Sequence, residues 1–178
     1  MKSTNADKLN DARENFIRQW GAMGSSWGIN RTMAQIHAFL MISAEPLDTN
    51  TIMEELQISR GNANTNLRDL VGWGLIRSYF VPGERKEFFE AEKDVWKMFC
   101  AISKERKRRE IQPALEVLRD CADVTKGERS KEGVAFHTMM DDLADFVALA
   151  DTAMDRISRS ERSKVVPMIL KALGAKKG

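Results

Sequence analysis

The chain has 178 residues, 30% of them charged and 43% hydrophobic, with a net charge of +2 and a pI of about 8.6. That length suits one domain with a real core, or a small domain carrying a dimerisation arm, and so mild a basicity gives no global argument for a polyanionic partner. Uninterrupted apolar runs such as Ala38–Ile42 stop at five residues, and Met1–Asp7 lacks the apolar core of a signal peptide, which argues against a membrane span and for a cytoplasmic protein.

From Ala6 to about Trp20, the spacing of Leu9, Ala12, Phe16, Ile17 and Trp20 predicts an amphipathic helix extending toward Met23. Gly21, Gly24 and Gly28 are expected to loosen the chain around Trp27. A second helix starts at an Asn30 cap, carries Met33, Ile36, His37, Leu40 and Met41, and ends before Pro46. It is expected to pack behind the pair that follows. Asp48 then caps a short helix bearing Ile52, Met53 and Leu56, and Gln57-Ile58 turns the chain into another N-cap, Ser59.

The stretch Ser59–Gly74 reads as a recognition helix. Ala63, Leu67, Leu70 and Val71 recur at i, i+4, i+7 and i+8 and make one narrow apolar stripe, with Gly61, Asn64, Thr65 and Arg68 on the far side. Asn62 and Asp69 flank that far side, and Arg60 sits in the first turn. Amides, a hydroxyl and guanidinium groups are what pair with base edges and phosphates in a major groove. Gly74 suits the left-handed position that ends the helix. Leu75–Val81 and Lys86–Ala91 then form a hairpin around Pro82–Arg85, so helix, turn, helix and hairpin make a winged helix. Arg60, Arg68, Arg77, Arg85 and Lys86 concentrate positive charge there, with Asp69, Glu84 and Glu87 among them. The expected DNA-binding residues are Ser59, Arg60, Gly61, Asn62, Asn64, Thr65 and Arg68 in the helix, and Arg85 and Lys86 in the wing. Arg85, at the tip, suits the negative potential of a minor groove. Against this stands a winged helix that only holds proteins together, because the fold does not fix the function.

After the wing, Asp94 is expected to cap a long helix that buries Val95, Met98, Phe99 and Ile102. Lys104–Glu110 is polar on every side, a solvated face or one paired with an acidic neighbour. Pro113 should kink or restart the helix before Ala114, Leu115, Val117, Leu118 and Cys121 resume an apolar face. If that helix is continuous, a rise of about 1.5 Å per residue holds Cys100 and Cys121 roughly 30 Å apart, forbids a bond between them, and leaves two small buried thiols. Val124–Gly133 reads as a polar loop. In the next helix Phe136, Met140, Leu143, Val147, Ala150, Met154 and Ile157 alternate by four and three residues, the seam of helix-on-helix packing, and Phe146, Leu149 and Ala153 widen it. A last helix is expected around Lys164–Leu173, followed by a frayed tail from Ala175. The fold class is therefore mainly α with a small β-hairpin: an N-terminal helix over 1–29, a winged helix-turn-helix DNA-binding domain over 30–93, and a helical dimerisation region over 94–178.

The runs Leu47-Asp48 through Leu56, Ile58–Asn62, Asn66–Leu70 and Trp73–Arg77 resemble the DNA-binding domain of MarR-family transcriptional regulators, in particular their GbsR-type branch. The resemblance extends to Trp27-Gly28 with Asn30-Arg31 and to Arg106–Leu115; beyond about Cys121 it is one of composition. It implies a homodimeric, sequence-specific regulator, a repressor modulated by a small-molecule effector and bound to an approximately palindromic operator in double-stranded DNA. The alternative is a protein–protein interaction module without direct DNA binding. No enzymatic activity, cofactor or metal is implied. GbsR-type regulators are associated with choline sensing, and aromatic faces attract quaternary ammonium groups, so Trp20, Trp27 and Trp96 are candidate ligand-binding residues, with ordinary core packing as the competing role.

Two other patterns carry less. Gly24–Gly28 satisfies Gly-x-Ser-x-Gly, but a nucleophile elbow needs a strand before it and this one follows a helix. His137 and Asp141 make an i, i+4 pair with too few neighbouring ligands for a metal.

Overall fold

The computed structural model describes residues 5–163 together with 166 and 168. The order of elements is α1 (Asn5–Ser26), α2 (Arg31–Ile42), β1 (Leu47–Asp48), α3 (Thr49–Leu56), α4 (Arg60–Gly72), β2 (Ile76–Phe80), β3 (Glu87–Ala91), α5 (Val95–Arg106), a π-helical turn (Lys107–Ile111), α6 (Gln112–Val124), α7 (Lys131–Arg159) and a 3-10 turn (Ser160–Arg162). They form two compact units, Met1–Val95 and Trp96–Gly178. The expected helix at Lys164–Leu173 and the tail after it fall outside the described residues, Val166 and Met168 excepted.

In the first unit α1 runs further than its sequence suggests, because Gly21 and Gly24 lie inside it rather than loosening it. Both are buried where α1 crosses α2: a Cβ at Gly24 would stand 2.5 Å from Ala34 Cβ, and one at Gly21 would stand 2.6 Å from Gln35 Cγ. Close approach, bought at the cost of helix propensity, is the reason for these glycines. The chain turns instead at Gly28, whose φ is +74°.

Helix α2 opens on the expected cap, Asn30 Oδ1 accepting from Met33 N–H at 3.1 Å. Met33, Ala34, Ile36, His37, Ala38, Phe39 and Leu40 are all buried, since α1 covers one flank while α4 and β3 take the others. At its C-terminus the Lys93 ammonium donates to the carbonyls of Leu40, Met41 and Ser43 at 2.8, 2.9 and 2.8 Å, a cation at the negative end of a helix. Ile36, Leu40, Ile52, Leu67 and Leu70 are fully buried and form the centre of this core.

The sheet is antiparallel in the order β1-β3-β2, with Leu47 opposite Phe89, Ile76 opposite Ala91 and Phe80 opposite Glu87. The two residues of β1 join the expected hairpin and hold it against the entry to α3. Ile76, Phe89 and Ala91 are buried, so the strand alternation puts Arg77, Tyr79, Phe88 and Glu90 on the opposite face.

In the second unit the backbone stays helical from α5 into α6, with Arg106 at φ −62°, ψ −43° and Gln112 at φ −61°, ψ −48°. The α pattern breaks ahead of Pro113 all the same: a π turn, closed by Gln112 N–H to the Lys107 carbonyl, intervenes, and α6 restarts at Gln112 with Pro113 in its first turn, as expected. From this turn Lys107 reaches Asp151 at 3.2 Å and Asp155 at 3.1 Å, so part of the basic run pairs with an acidic strip on α7. Asp155 first and Asp151 after it raise the pKa of Lys107 above its ordinary value.

Ser130 caps α7 by accepting from Gly133 N–H at 3.0 Å, a few residues earlier than the expected start. His137 does not turn to Asp141: its Nδ1 lies 3.0 Å from the Ala122 carbonyl and 3.2 Å from Thr125 Oγ1, at the end of α6. Trp96 Nε1–H donates to the Ser160 carbonyl at 3.1 Å and Cys100 Sγ contacts the Ile157 carbonyl at 3.3 Å, which seats α5 near the end of α7. The broad seam expected along α7 divides in two. Met140, Val147, Ala150, Met154 and Ile157 turn inward, beside a buried Ala144 outside the expected set, while Phe136, Leu143, Phe146 and Leu149 remain exposed together with Met139, Phe146 by 70% and Leu149 by 66%.

Candidate nucleic-acid interface

The interface begins with the start of α3. Asp48 Oδ1 accepts from Thr51 N–H at 2.9 Å, and its Oδ2 takes the Lys86 ammonium at 2.5 Å. Lys86 and then the Thr51 N–H hold the Asp48 carboxyl below its ordinary pKa, and the same contact raises that of Lys86. One of the expected DNA-binding cations therefore already ties the returning wing strand to the helix-turn-helix. Its side chain stays partly exposed, but its charge is shared with a carboxylate.

Helix α3 ends at Gln57, whose φ of 52° is left-handed, and Ser59 caps α4 by accepting from Asn62 N–H at 3.3 Å. Arg60 is anchored across the turn, its Nη2 donating to Asn50 Oδ1 at 2.5 Å. Gly61, Asn62, Asn64, Thr65, Arg68 and Asp69 are exposed, as the helical phase requires. The buried side differs from expectation. Ala63, Asn66, Leu67 and Leu70 form it, whereas Val71 is 38% exposed at its edge. Asn66 is admitted because its amide is satisfied within the helix, Nδ2 donating to the Asn62 carbonyl at 2.8 Å and to Asn62 Oδ1 at 2.6 Å. Polarity alone favours Val71 for the buried stripe, and the folded helix takes Asn66 instead. An asparagine four residues after another asparagine was the available signal.

The wing closes with Glu84 N–H to the Val81 carbonyl at 3.0 Å and Gly83 at φ +90°, leaving Arg85 exposed just past the turn. Between α4 and the wing runs a groove of about 360 Å³ lined by Asn64, Arg68, Val71, Ser78, Glu87 and Phe89, among others. It brings Asn64 and Arg68 together with wing residues that no motif had singled out. Arg77 is not among the cations of this surface: it lies on the other sheet face and pairs with Glu90 at 2.8 Å.

The three candidate ligand-binding tryptophans are spread over both units. Trp20 is half-buried against Phe16, with ring centroids 5.5 Å apart, and Trp27 is 53% exposed just past α1. Trp96 belongs to the second unit, packed on Phe99. An open cavity of about 600 Å³ in the first unit is lined instead by Arg13, Glu14, Ile17, Phe39, Glu45 and Glu55 with their neighbours from α1, α2 and α3. It exists only through the packing of three helices, so no sequence motif announces it. The Gly24–Gly28 segment is the end of α1 and its turn, without the strand that a nucleophile elbow requires. Among the described residues no group of three metal-ligating side chains is assembled, and no helix is long and apolar enough to cross a membrane.

No family model matches the chain. It is 26% identical over 119 residues to the HTH-type transcriptional repressor GbsR of Bacillus subtilis (strain 168), an alignment covering 66% of each chain. It is 28% identical over 110 residues to the HTH-type transcriptional regulator MmpR5 of Mycobacterium tuberculosis (strain ATCC 25618 / H37Rv), covering 61% of this chain and 62% of that one. The matched part thus spans slightly under two thirds of either relative. A solved structure described as a transcriptional regulator superposes with a TM-score of 0.61 at 21% identity, over 83% of this chain and 99% of its own, which supports the fold. With its capped helix pair, three-stranded sheet and wing, the chain is a winged helix-turn-helix protein, similar in sequence to the MarR-type regulators GbsR and MmpR5 and in fold to a solved transcriptional regulator.

Proposed function

We propose that this protein is a sequence-specific DNA-binding transcriptional regulator, acting in the cytoplasm as a homodimeric repressor on an approximately palindromic operator. The observation that carries the reading is the exposed face of α4, where Asn62, Asn64, Thr65 and Arg68 stand clear of the core between an anchored Arg60 and the wing arginine Arg85. The names of the two relatives support it. Homodimerisation is supported by the row Phe136, Met139, Leu143, Phe146 and Leu149, an apolar stripe that one copy leaves exposed. A small-molecule effector, such as a quaternary ammonium compound, completes the reading. Trp20 and Trp27 offer it aromatic faces, Trp96 being engaged by Ser160 and Phe99. Such an effector must favour one spacing of the two recognition helices, since equal affinity for both shifts nothing.

Selection from a random-duplex pool tests the proposal and is expected to enrich a palindrome. On that operator Asn64→Ala costs about 1–3 kcal/mol, with much less lost on unrelated DNA, because only a matching base completes the amide pairing. Arg85→Ala weakens both kinds of DNA and makes the salt dependence shallower by about one counterion per subunit. Absent or salt-insensitive duplex binding would instead favour the interaction module.

A further inference from the structure

Asn62 and Asn64 both offer an amide on the outer face of α4, and an amide that presents donor and acceptor together matches adenine. They do not stand in the same surroundings. Asn62 is the third residue of the helix, in the first turn, where a recognition helix meets base edges. Four residues on, Asn66 is only 3% exposed, and its Nδ2 is 2.8 Å from the Asn62 backbone carbonyl and 2.6 Å from the Asn62 side-chain oxygen.

These contacts settle which way both amides point. A backbone carbonyl only accepts, so the Asn66 atom beside it must be the NH2 group, and that group has two hydrogens to give. The second goes to the Asn62 side chain, so the Asn62 atom facing Asn66 must be its oxygen. Turning the Asn62 amide over would set two NH2 groups against each other at hydrogen-bond distance in a half-buried place. The oxygen of Asn62 is therefore held toward the helix, and its two N–H donors are turned outward.

We propose, resting on the DNA-binding reading above, that Asn66 is a positioning residue which makes Asn62 a donor-only reader of the major groove, leaving Asn64 as the amide suited to adenine. A side chain that presents donors alone selects a base edge that presents acceptors alone. Guanine, with N7 and O6 adjacent, can take both donors and fits best; thymine O4 and adenine N7 each take one, the adenine amino group opposing the other, and cytosine offers only an amino donor. The specificity of one operator position is thus set by a buried side chain that never touches DNA.

The test is selection of bound duplexes from a random pool by the full-length wild type and by Asn62→Ala, Asn62→Asp and Asn66→Ala, each checked for an unchanged thermal melt. Asn62→Ala should relax one position in each half-site, and the wild-type base pair there should be G·C. An A·T pair at that position, or no position relaxed, overturns the proposal. Asn62→Asp keeps an oxygen for Asn66 and replaces the outward donors by an acceptor on an exposed first turn that tolerates a carboxylate. It should lose about tenfold or more on the wild-type site and prefer the reversed pair, C·G, at that position of the half-site; an unchanged preference overturns the proposal. Asn66→Ala frees the Asn62 amide to rotate, so adenine should become accepted at that one position while the other positions keep their preferences. A loss spread evenly over all positions would make Asn66 merely structural and overturn it. Should the wild type enrich no motif, the regulator reading itself fails, an outcome distinct from all of these.

Discussion

Fully buried side chains crowd the winged unit, where Ile36 and Leu40 from α2 meet Ile52, Leu67 and Leu70 from α3 and α4; among the described residues of the helical unit, Cys100 is the large residue of that class and Leu115, Ala122 and Ala144 complete the buried apolar set. The helical unit instead leaves Val117, Phe136, Met139, Leu143, Phe146 and Leu149 in solvent. Both have ordinary amphipathic helices, so the difference lies in where the apolar faces go. The winged unit closes α2, α3 and α4 on a sheet and leaves Leu9, Phe80 and Val95 exposed at separate places, whereas α6 covers one side of α7 and leaves a row of apolar side chains along the other. That row is the surface to which the proposal above assigns a second copy.

The strongest break of that contrast is Phe146→Glu. If the exposed stripe of α7 is a dimer seam, a carboxylate there costs several kcal/mol of association while leaving the winged unit folded. Sedimentation should then show a micromolar dimer turning into a monomer, with a far-ultraviolet spectrum that keeps its helical signature. A monomeric wild type at that concentration would mean the stripe serves another partner.

Acid should separate the two units through His37. Burial pushes its imidazole down to about 4 from 6.5, and Nε2 has no hydrogen-bond partner. Below 6.5 the unfolded chain takes up a proton that the folded one refuses, so the stability of the winged unit is full above that pH and declines as pH falls toward 4. The loss is about 3 kcal/mol. Asp48, whose folded pKa is lowered chiefly by Lys86, contributes stability that is present above its ordinary 3.8 and lost at still lower pH. Denaturant melts between pH 7 and 4 should show this decline in the wild type and not in His37→Leu.

A smaller effect is expected of Gly24→Ala. The added methyl meets Ala34 Cβ at 2.5 Å, and neither partner has a flexible end to move, so α1 must shift away from α2 at about 1–3 kcal/mol. Gly21→Ala, which meets the movable Gln35 side chain, should cost less in the same melts.

The parts that local chemistry dictates were open to reading from the chain alone. Asn30, Asp48 and Ser59 cap helices because a short side-chain oxygen beside free N–H groups needs nothing further away, and Gly74 takes φ +72° because few other residues enter that region cheaply. The polar face of α4 followed from period 3.6 in the same way. What only the tertiary structure decided were the places where a residue answers to something distant in sequence. Gly21 and Gly24 look like helix breakers until α2 lies across them. Lys86 looks like a phosphate ligand until Asp48 meets it from 38 positions earlier. Asn66 looks misplaced among leucines until its amide is seen to close on Asn62, and Phe146 looks like core until α6 is found to cover the other side of α7. Periodicity states that a face is apolar or polar, but which neighbour covers it depends on packing between elements, and that information is not carried by any single stretch of the chain.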